Sequence, residues 1–170
     1  ESTMGFQASD YVDTGLEPLP ADWEMMALGH VTLRTQTRDP RNAPNQTFRY
    51  IDVSSVSNQT FRISGYSEIR GRDAPSRARK VVKAGDIVFA TVRPYLRNIA
   101  KVQPDLDDSV CSTGFCVIRA DGQKADPGYL FYVTLTDDFV SRVVDLQRGS
   151  SYPAVSDKDV LGQIIALPPL

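Results

Sequence analysis

Residues 86–118 of the chain read DIVFATVRPYLRNIAKVQPDLDDSVCSTGFCVI and contain three short runs rich in β-branched and aromatic residues. Gly85 and the Pro104-Asp105 pair punctuate these runs, which is the pattern of strands joined by tight turns. Two similar runs occur earlier in the chain. The five predicted strands cover residues 48–53, 59–63, 86–92, 98–102 and 110–118. Their spacing predicts a mostly antiparallel, partly barrel-like twisted sheet.

Helices are predicted in the part of the chain that follows these strands. Asp126 can cap a helix, Pro127 suits its first position, and Gly149 can end it. One long helix is therefore predicted over about residues 127–147. A shorter helix is predicted over residues 156–161, where a serine stands three positions before an aspartate, as in a capping box. The expected fold class is α+β.

The composition divides the chain into a short lead-in and one folded domain. Residues 1–18 contain acids, no base and the breakers Gly15 and Pro18, which predicts a lead-in segment. Residues 19–170 are long enough to bury a core and are predicted to form a single domain. Because the N-terminus lacks an initiator Met, we expect the chain to be a fragment or a processed product.

No run of 18 or more apolar residues occurs, and the N-terminus lacks the basic start and apolar run of a signal peptide. We therefore expect no membrane association and a cytoplasmic location. Cys111 and Cys116 are expected to be buried free thiols in that reducing compartment. If residues 110–118 form one strand, the odd spacing puts the two thiols on opposite faces.

The charge of the chain is divided unevenly. Of its 19 Lys and Arg residues, 14 lie between Arg34 and Lys101, where only five acidic residues oppose them. This stretch carries a formal charge of +9, although the whole chain carries −2. A positive face on an acidic protein is typical of a surface that meets a polyanion, and we predict nucleic-acid contact.

The first candidate segment, residues 34–49, has two prolines and few apolar side chains, which predicts a surface loop. Arg and Asn side chains donate hydrogen bonds to phosphates and to base edges. The candidate DNA contacts in this loop are Arg34, Arg38, Arg41, Asn42 and Asn45. A merely solvated loop is the alternative.

Three further segments supply candidates. Residues 64–83 form a basic stretch broken by Gly and Pro, residues 91–98 connect two predicted strands, and residues 149–153 carry hydroxyl groups after the long helix. Pro94 is expected to hold Arg93 in an extended backbone. The candidate DNA contacts here are Arg70, Arg72, Arg77, Arg79, Lys80, Arg93, Tyr95, Arg97, Ser150, Ser151 and Tyr152. Ion pairs with the acidic remainder, for Arg93 or Arg97, and a plain turn at 149–153 are the alternatives.

No catalytic or metal site is indicated by the sequence. His30 stands alone, and neither a nucleophile elbow nor a Walker-type phosphate loop occurs. Asp107 and Asp108 could recruit Mg²⁺ in a nuclease, but adjacent acids of this kind are usually solvated. We therefore expect a protein that binds and does not catalyse.

Five motifs follow one another in a fixed order along residues 19–170. They are LPADWE at 19–24 with LG at 28–29, GDIVFATVRP at 85–94, CSTGFCVI at 111–118, GSSYPAVS at 149–156 and IIALPPL at 164–170. In this order they resemble the target recognition domain of a type I restriction-modification specificity (S) subunit. The last motif matches the point where the spacer helix of that family begins.

The resemblance implies duplex DNA as the ligand. Such a subunit carries two recognition domains, each reading one half of a split target, and it docks methyltransferase (M) and restriction (R) subunits. Those partners use S-adenosylmethionine, ATP and Mg²⁺, and no cofactor is expected on this chain. The chain departs from the family pattern because it has one recognition domain and no spacer helix.

On this interpretation the candidate contacts divide into two groups. Those expected to read bases are Arg38, Asn42, Asn45 and Arg72. Those expected to anchor phosphates are Arg34, Arg41, Arg77, Arg79, Lys80, Arg93 and Ser151, with Tyr95 stacking or bonding to the backbone.

Three alternative functions stay open at this point. The chain could be the recognition domain of a fused single-chain restriction-methylation enzyme. It could instead be a protein-interaction module whose basic face binds an acidic partner. A metal-dependent nuclease is the third.

Overall fold

The structure is a computed structural model that describes residues 11–12 and 18–170. Most of the predicted lead-in, residues 1–10 and 13–17, lies outside the described residues. Fourteen strands are described. They are β1 (Tyr11–Val12), β2 (Leu19–Pro20), β3 (Glu24–Ala27), β4 (Thr32–Leu33), β5 (Thr47–Ile51), β6 (Val56–Ser57), β7 (Arg62–Ile63), β8 (Ser67–Arg70), β9 (Ala78–Val82), β10 (Ile87–Ala90), β11 (Ile99–Lys101), β12 (Ser109–Ser112), β13 (Phe115–Ala120) and β14 (Ile164–Leu167). The α-helices are α1 (Pro127–Leu135), α2 (Asp137–Val144) and α3 (Asp157–Leu161).

The centre of the fold is a four-stranded antiparallel sheet in the order β11-β10-β13-β4. Its strands are buried on both faces because alternate side chains enter two different cores. Ile87 and Phe89 of β10 pack against the helices, whereas Val88 and Ala90 pack against a second sheet. This arrangement explains why residues 86–92 read as a nearly continuous apolar run.

The second sheet has the order β8-β5-β12-β9, with β5 and β12 parallel and the other pairs antiparallel. Ile51, Val82 and Cys111 face the central sheet. Phe48 and Val110 face outward into a small third core that is closed by connecting segments. The three remaining sheets in the described part of the chain are pairs, β1-β2, β3-β14 and β6-β7.

The α+β class and the mostly antiparallel pairing are confirmed, and the described strands do not close a barrel. The prediction of one continuous helix over about residues 127–147 is wrong, because two helices meet at Thr136. Thr136 has an extended backbone (φ −67°, ψ 147°), and its hydroxyl accepts a hydrogen bond from the amide of Phe139. A side chain that caps a new helix competes with continuation of the preceding one. The chain then leaves α2 at Val144, five residues before Gly149.

The prediction of a single strand over residues 110–118 is also wrong. The turn at Thr113 and Gly114 separates β12 in the second sheet from β13 in the central sheet. Cys111 therefore lies in the core between the sheets and Cys116 in the core beneath the helices. Both thiols are free and buried, as expected, and burial raises the pKa of each to about 12.

The helix caps follow the sequence signals. Asp126 caps α1 by accepting from the amide of Tyr129 at 2.8 Å, with Pro127 in the first turn. Ser156 and Asp159 form a reciprocal capping box at the start of α3. The predicted helix over residues 156–161 is thus confirmed.

Candidate nucleic-acid interface

Residues 36–38 lie alongside β9 and extend the second sheet by an irregular strand. The amide of Arg38 donates to the carbonyl of Arg79 at 2.8 Å, and the amide of Val81 donates to the carbonyl of Gln36 at 3.0 Å. The loop predicted at residues 34–49 is therefore fastened at its start to the strand that carries Arg79. Two separate basic segments of the sequence meet at this sheet edge.

Asp39 binds two arginines from these two segments. Its carboxylate accepts from the amide of Arg41 at 3.0 Å and from Arg41 Nε at 3.2 Å, and it also pairs with Arg79. The hydrogen bonds from Arg41, helped by Arg79, lower the pKa of Asp39 to about 2. The aspartate holds both guanidinium groups side by side on the surface.

Asp108 has the same role for a second pair of cations. Its Oδ1 lies 2.9 Å from Lys83 Nζ and 3.1 Å from an Arg38 guanidinium nitrogen. The hydrogen bond from Lys83, followed by that from Arg38, lowers the pKa of Asp108. The neighbouring Asp107 accepts from the amide of Ala84 at 2.8 Å. These two carboxylates, proposed above as magnesium ligands, thus make contacts within the protein.

Arg72 and Asn45 meet because the 3-10 turn Gly71–Asp73 packs directly on the turn Pro40–Asn42 and the residues after it. A Cβ atom on Gly71 would lie 2.2 Å from the carbonyl oxygens of both Pro40 and Ala43. Only glycine permits this approach of two backbones. An Arg72 guanidinium nitrogen lies 2.5 Å from Asn45 Oδ1. Two of the residues predicted to read bases therefore form one hydrogen-bonded pair.

Arg93 lies in the connection between β10 and β11, and its predicted extended backbone is wrong. The residue is left-handed, with φ 48° and ψ 58°, and its amide donates to the carbonyl of Pro153 at 2.7 Å. The pairing with residues 153–155 outweighs the local preference imposed by Pro94. The guanidinium group lies over the ring of Tyr152, 4.9 Å from its centroid. This strained turn fixes a stacked Arg–Tyr pair on the surface.

Residues 149–153 form a loop that is closed by two hydrogen bonds between Arg148 and Ala154, each 2.9 Å long. Val155 donates to the carbonyl of Thr91 at 2.9 Å, which anchors the loop beside the Arg93 turn. The loop exposes Ser150, Ser151 and Tyr152. The two predicted segments at 91–98 and 149–153 are therefore one surface.

An open cleft of ≈ 490 Å³ lies between this surface and the second sheet. We name it the Arg93 cleft, and its polar lining includes Asp52, Arg77, Arg93, Asn98 and Tyr152. An Arg77 guanidinium nitrogen lies 3.4 Å from Asp52 Oδ2. The cleft brings together Arg77, Arg93 and Tyr152 from three predicted segments.

The remaining predicted residues occupy different environments. Arg34, Asn42, Arg70 and Tyr95 are exposed. Arg97 lies 2.6 Å from the carboxylate of Asp137 at the start of α2, which matches the ion-pair alternative. Lys80 points inward, and its Nζ lies 2.6 Å from Asp157 Oδ2 and 2.6 Å from the carbonyl oxygen of Phe115.

Several polar residues of this surface were not predicted from the sequence. Asp39, Asp52 and Asp108 organise the arginines, and Asn98 lines the Arg93 cleft. Asp39 follows Arg38 directly, and its position before Pro40 and Arg41 marks a capped turn, so a local signal for it existed. Asp52, Asn98 and Asp108 reach the surface through long-range contacts that no local pattern reveals.

Within residues 11–12 and 18–170, no helix has the length and apolar composition needed to cross a membrane. The same residues contain no group of three or more His, Cys, Asp or Glu side chains arranged to hold a metal ion.

No protein-family model matches the chain. Two curated proteins are similar to it over most of its length. The type I restriction enzyme HindI specificity subunit of Haemophilus influenzae is 28% identical over 151 residues, which are 87% of this chain and 32% of that subunit. The type I restriction enzyme EcoDI specificity subunit of Escherichia coli is 26% identical over 156 residues, which are 91% of this chain and 33% of that subunit.

Two solved structures share both the fold and much of the sequence. The crystal structure of the HsdS subunit from Thermoanaerobacter tengcongensis superposes with a TM-score of 0.86 and 48% identity, over 94% of this chain and 41% of that chain. A chain from a structural study of the assembly and conformational transition of the type I restriction-modification system has a TM-score of 0.84 and 49% identity, over 89% of this chain and 39% of its own length.

The chain spans about a third of the length of the curated relatives that it matches. The similarity is nonetheless continuous over nearly all of this chain, and it holds in both sequence and fold. It confirms the resemblance predicted from the five motifs: the homologues of this chain are specificity subunits of type I restriction-modification systems.

Proposed function

We propose that this chain recognises duplex DNA in a sequence-specific way and reads one half of a bipartite target. The observation that carries the proposal is the similarity to specificity subunits over 87–94% of the chain. The basic surface supports it independently, because arginines from segments far apart in the sequence meet on it. Nothing in the comparisons favours a fused restriction-methylation enzyme or a module that binds an acidic protein.

The geometry suggests how the surface would divide its work. Arg72 and Asn45 form a paired donor and acceptor group, which suits the edge of a base. Arg41 and Arg79 lie side by side on Asp39, which suits phosphates of the backbone. Arg34, Arg70 and Tyr95 are exposed and would add backbone contacts.

We further propose that the chain is non-catalytic and directs methyltransferase (M) and restriction (R) subunits to the bound site in the cytoplasm. S-adenosylmethionine, ATP and Mg²⁺ would then serve those subunits, and the chain itself would bind none of them. The specificity-subunit homologues support this role.

The test is selection of the chain on a pool of randomised DNA duplexes at two salt concentrations. We expect enrichment of a motif of about three or four base pairs, with an affinity that falls steeply as salt rises. Arg72→Met should relax the preference at one position of that motif and cost about 1–3 kcal/mol in binding. The matched control is Arg142→Met, which removes the same charge from α2, away from the basic surface.

Two outcomes would overturn the proposal. Absence of binding at low salt would remove DNA as the ligand of the basic surface. Binding without any enriched motif would remove sequence-specific recognition by this chain. An equal loss of affinity in Arg72→Met and Arg142→Met would show that net charge, and not a base contact, sets the affinity.

A further inference from the structure

The Arg93 cleft has a cation at its mouth. The guanidinium group of Arg93 stacks on Tyr152 and lies 3.5 Å from the carbonyl oxygen of Ser151. No carboxylate in the described part of the chain lies within ion-pair distance of it, in contrast to Arg77. Arg93 therefore offers an uncompensated positive charge at the rim, where a phosphate group would meet it first.

The interior of the cleft has the opposite character. Asp52 Oδ1 accepts from the amide of Val53 at 2.9 Å and lies 3.4 Å from the hydroxyl of Tyr50. Its Oδ2 lies 3.4 Å from the guanidinium group of Arg77. A carboxylate in this position repels a second phosphate, but it accepts hydrogen bonds from amino groups. The interior thus suits a neutral group with N–H donors.

Asn98 adds a second acceptor on the opposite side of the cleft. Its Nδ2 donates to the carbonyl of Val56 at 2.8 Å, which fixes the orientation of the amide. The Oδ1 atom is left to accept a hydrogen bond from a ligand. Val53, Val92 and Leu96 supply apolar walls between the two acceptors. Polar edges between apolar walls fit a planar heterocycle.

Gly114 keeps the floor of the cleft open. A Cβ atom at this position would lie 3.1 Å from Val53 Cγ2, 3.3 Å from Ser112 Oγ and 3.7 Å from Val92 Cγ2. A side chain on Gly114 would therefore occupy the space between the two valines. The backbone of Gly114 has no positive φ, so the space, and not the conformation, is what the glycine provides.

We propose that the Arg93 cleft binds one nucleotide turned out of the DNA duplex, with a base that carries an exocyclic amino group between Asp52 and Asn98. The phosphate of that nucleotide meets Arg93 at the rim. Guanine, adenine and cytosine have such an amino group, and thymine does not. The inference rests on the proposed function and deepens it, because a base inside a stacked duplex cannot enter a cleft.

Mononucleotides test the cleft without any knowledge of the target. We would titrate the chain with dGMP, dAMP, dCMP and dTMP and follow the backbone amide of Gly114 by NMR. At least one of the three amino-bearing nucleotides should bind at millimolar concentration and five-fold or more tighter than dTMP. Asp52→Asn should reduce that preference to about two-fold or less.

Two glycine variants provide a steric test of the same site. Gly114→Ala should weaken nucleotide binding ten-fold or more, because its Cβ enters the floor. Gly122→Ala is the matched control, since a Cβ there meets no atom within 4 Å. Equal affinities in the two variants, or an unchanged base preference in Asp52→Asn, would overturn the proposal.

A duplex experiment tests whether the base leaves the helix. 2-Aminopurine, which fluoresces strongly when unstacked, is placed at each position of the selected duplex in turn. One position should brighten on binding to the chain and lose that signal with Gly114→Ala. Uniformly quenched fluorescence in a tightly bound duplex would overturn the inference while leaving the proposed DNA recognition intact.

Discussion

The ammonium group of Lys80 in β9 lies 2.6 Å from the carboxylate of Asp157, the first residue of α3. Its Nζ also lies 2.6 Å from the carbonyl oxygen of Phe115, and only 17% of the Lys80 side chain is exposed. The pair ties the second sheet to the helix that follows the 149–153 loop. A basic residue of the DNA-binding stretch thus holds two parts of the domain together.

Lys80→Met should lower stability without removing a phosphate contact. Loss of two charge-assisted hydrogen bonds in a partly buried site should cost about 1–3 kcal/mol in urea unfolding. The slope of log affinity against log salt for DNA should stay unchanged, whereas loss of a phosphate-binding lysine reduces it by about 1. Lys101→Met, which removes an exposed charge, is the control for stability. A reduced slope with unchanged stability would place Lys80 on the DNA.

Asp108→Asn should strengthen DNA binding. Asp108 pairs with Arg38 and Lys83, so a phosphate must replace its carboxylate before either cation is fully available. An exposed ion pair contributes about 0.2–1 kcal/mol, which corresponds to an affinity gain of about 2- to 5-fold. The measurement is a titration of the selected duplex by fluorescence anisotropy.

The control for this effect is Asp105→Asn, an exposed aspartate in the preceding 3-10 turn, Pro104–Leu106. It removes the same charge but lies outside the ion pairs found among the described residues. An equal gain in both variants would assign the effect to net charge and not to release of Arg38 and Lys83.

The stability of the domain should depend on acid through Asp39. The pKa of its carboxyl group is lowered from 3.8 to about 2 by Arg41 and Arg79, so the ionised form is favoured in the folded state. Its contribution is complete above the ordinary pKa and disappears as pH falls from about 4 towards about 2. The thermal unfolding midpoint should fall over this range, and Asp39→Asn should make that fall smaller. An identical pH profile for the variant would show that Asp39 does not contribute.

Much of the scaffold could be predicted because its signals are local. The cap at Asp126 and the capping box of Ser156 and Asp159 are fixed by residues within one turn of helix. The buried run at residues 86–92 is β-branched and apolar, and it remains a strand in almost any environment. The break at Thr136 was missed because a hydroxyl residue is compatible with both a helix interior and a cap. Only packing of α2 against the turn Pro94–Leu96 selects the cap.

The candidate site was predictable in composition but not in arrangement. The excess of arginines over residues 34–101 identifies the surface, since charge density does not depend on pairing. It does not reveal that Lys80 turns inward or that Arg93 adopts a left-handed backbone to reach Tyr152. Both facts depend on contacts between residues more than 30 positions apart in the sequence. Local patterns carry no information about such contacts.

The two cysteines should be unreactive in the folded protein. Cys111 and Cys116 lie in separate cores, and burial raises the pKa of each thiol to about 12. Only the thiolate reacts with disulfide reagents, and neither sulfur is accessible. At pH 8, Ellman's reagent should modify no thiol in the native chain and two in urea. Rapid modification of one thiol under native conditions would show that its core opens locally.

Gly71→Ala should destabilise the domain and weaken base recognition together. Its Cβ would lie 2.2 Å from two backbone carbonyl oxygens, so residues 40–43 must move away from the Gly71–Asp73 turn. Overpacking of this kind costs about 1–3 kcal/mol, and the displaced loop carries Asn45 away from Arg72. Gly65→Ala is the matched control in the same segment, because a Cβ there meets no atom within 4 Å. Urea unfolding and selection on randomised duplexes provide the two measurements. A variant that loses stability yet keeps the full base preference would show that the Arg72–Asn45 pair does not read a base.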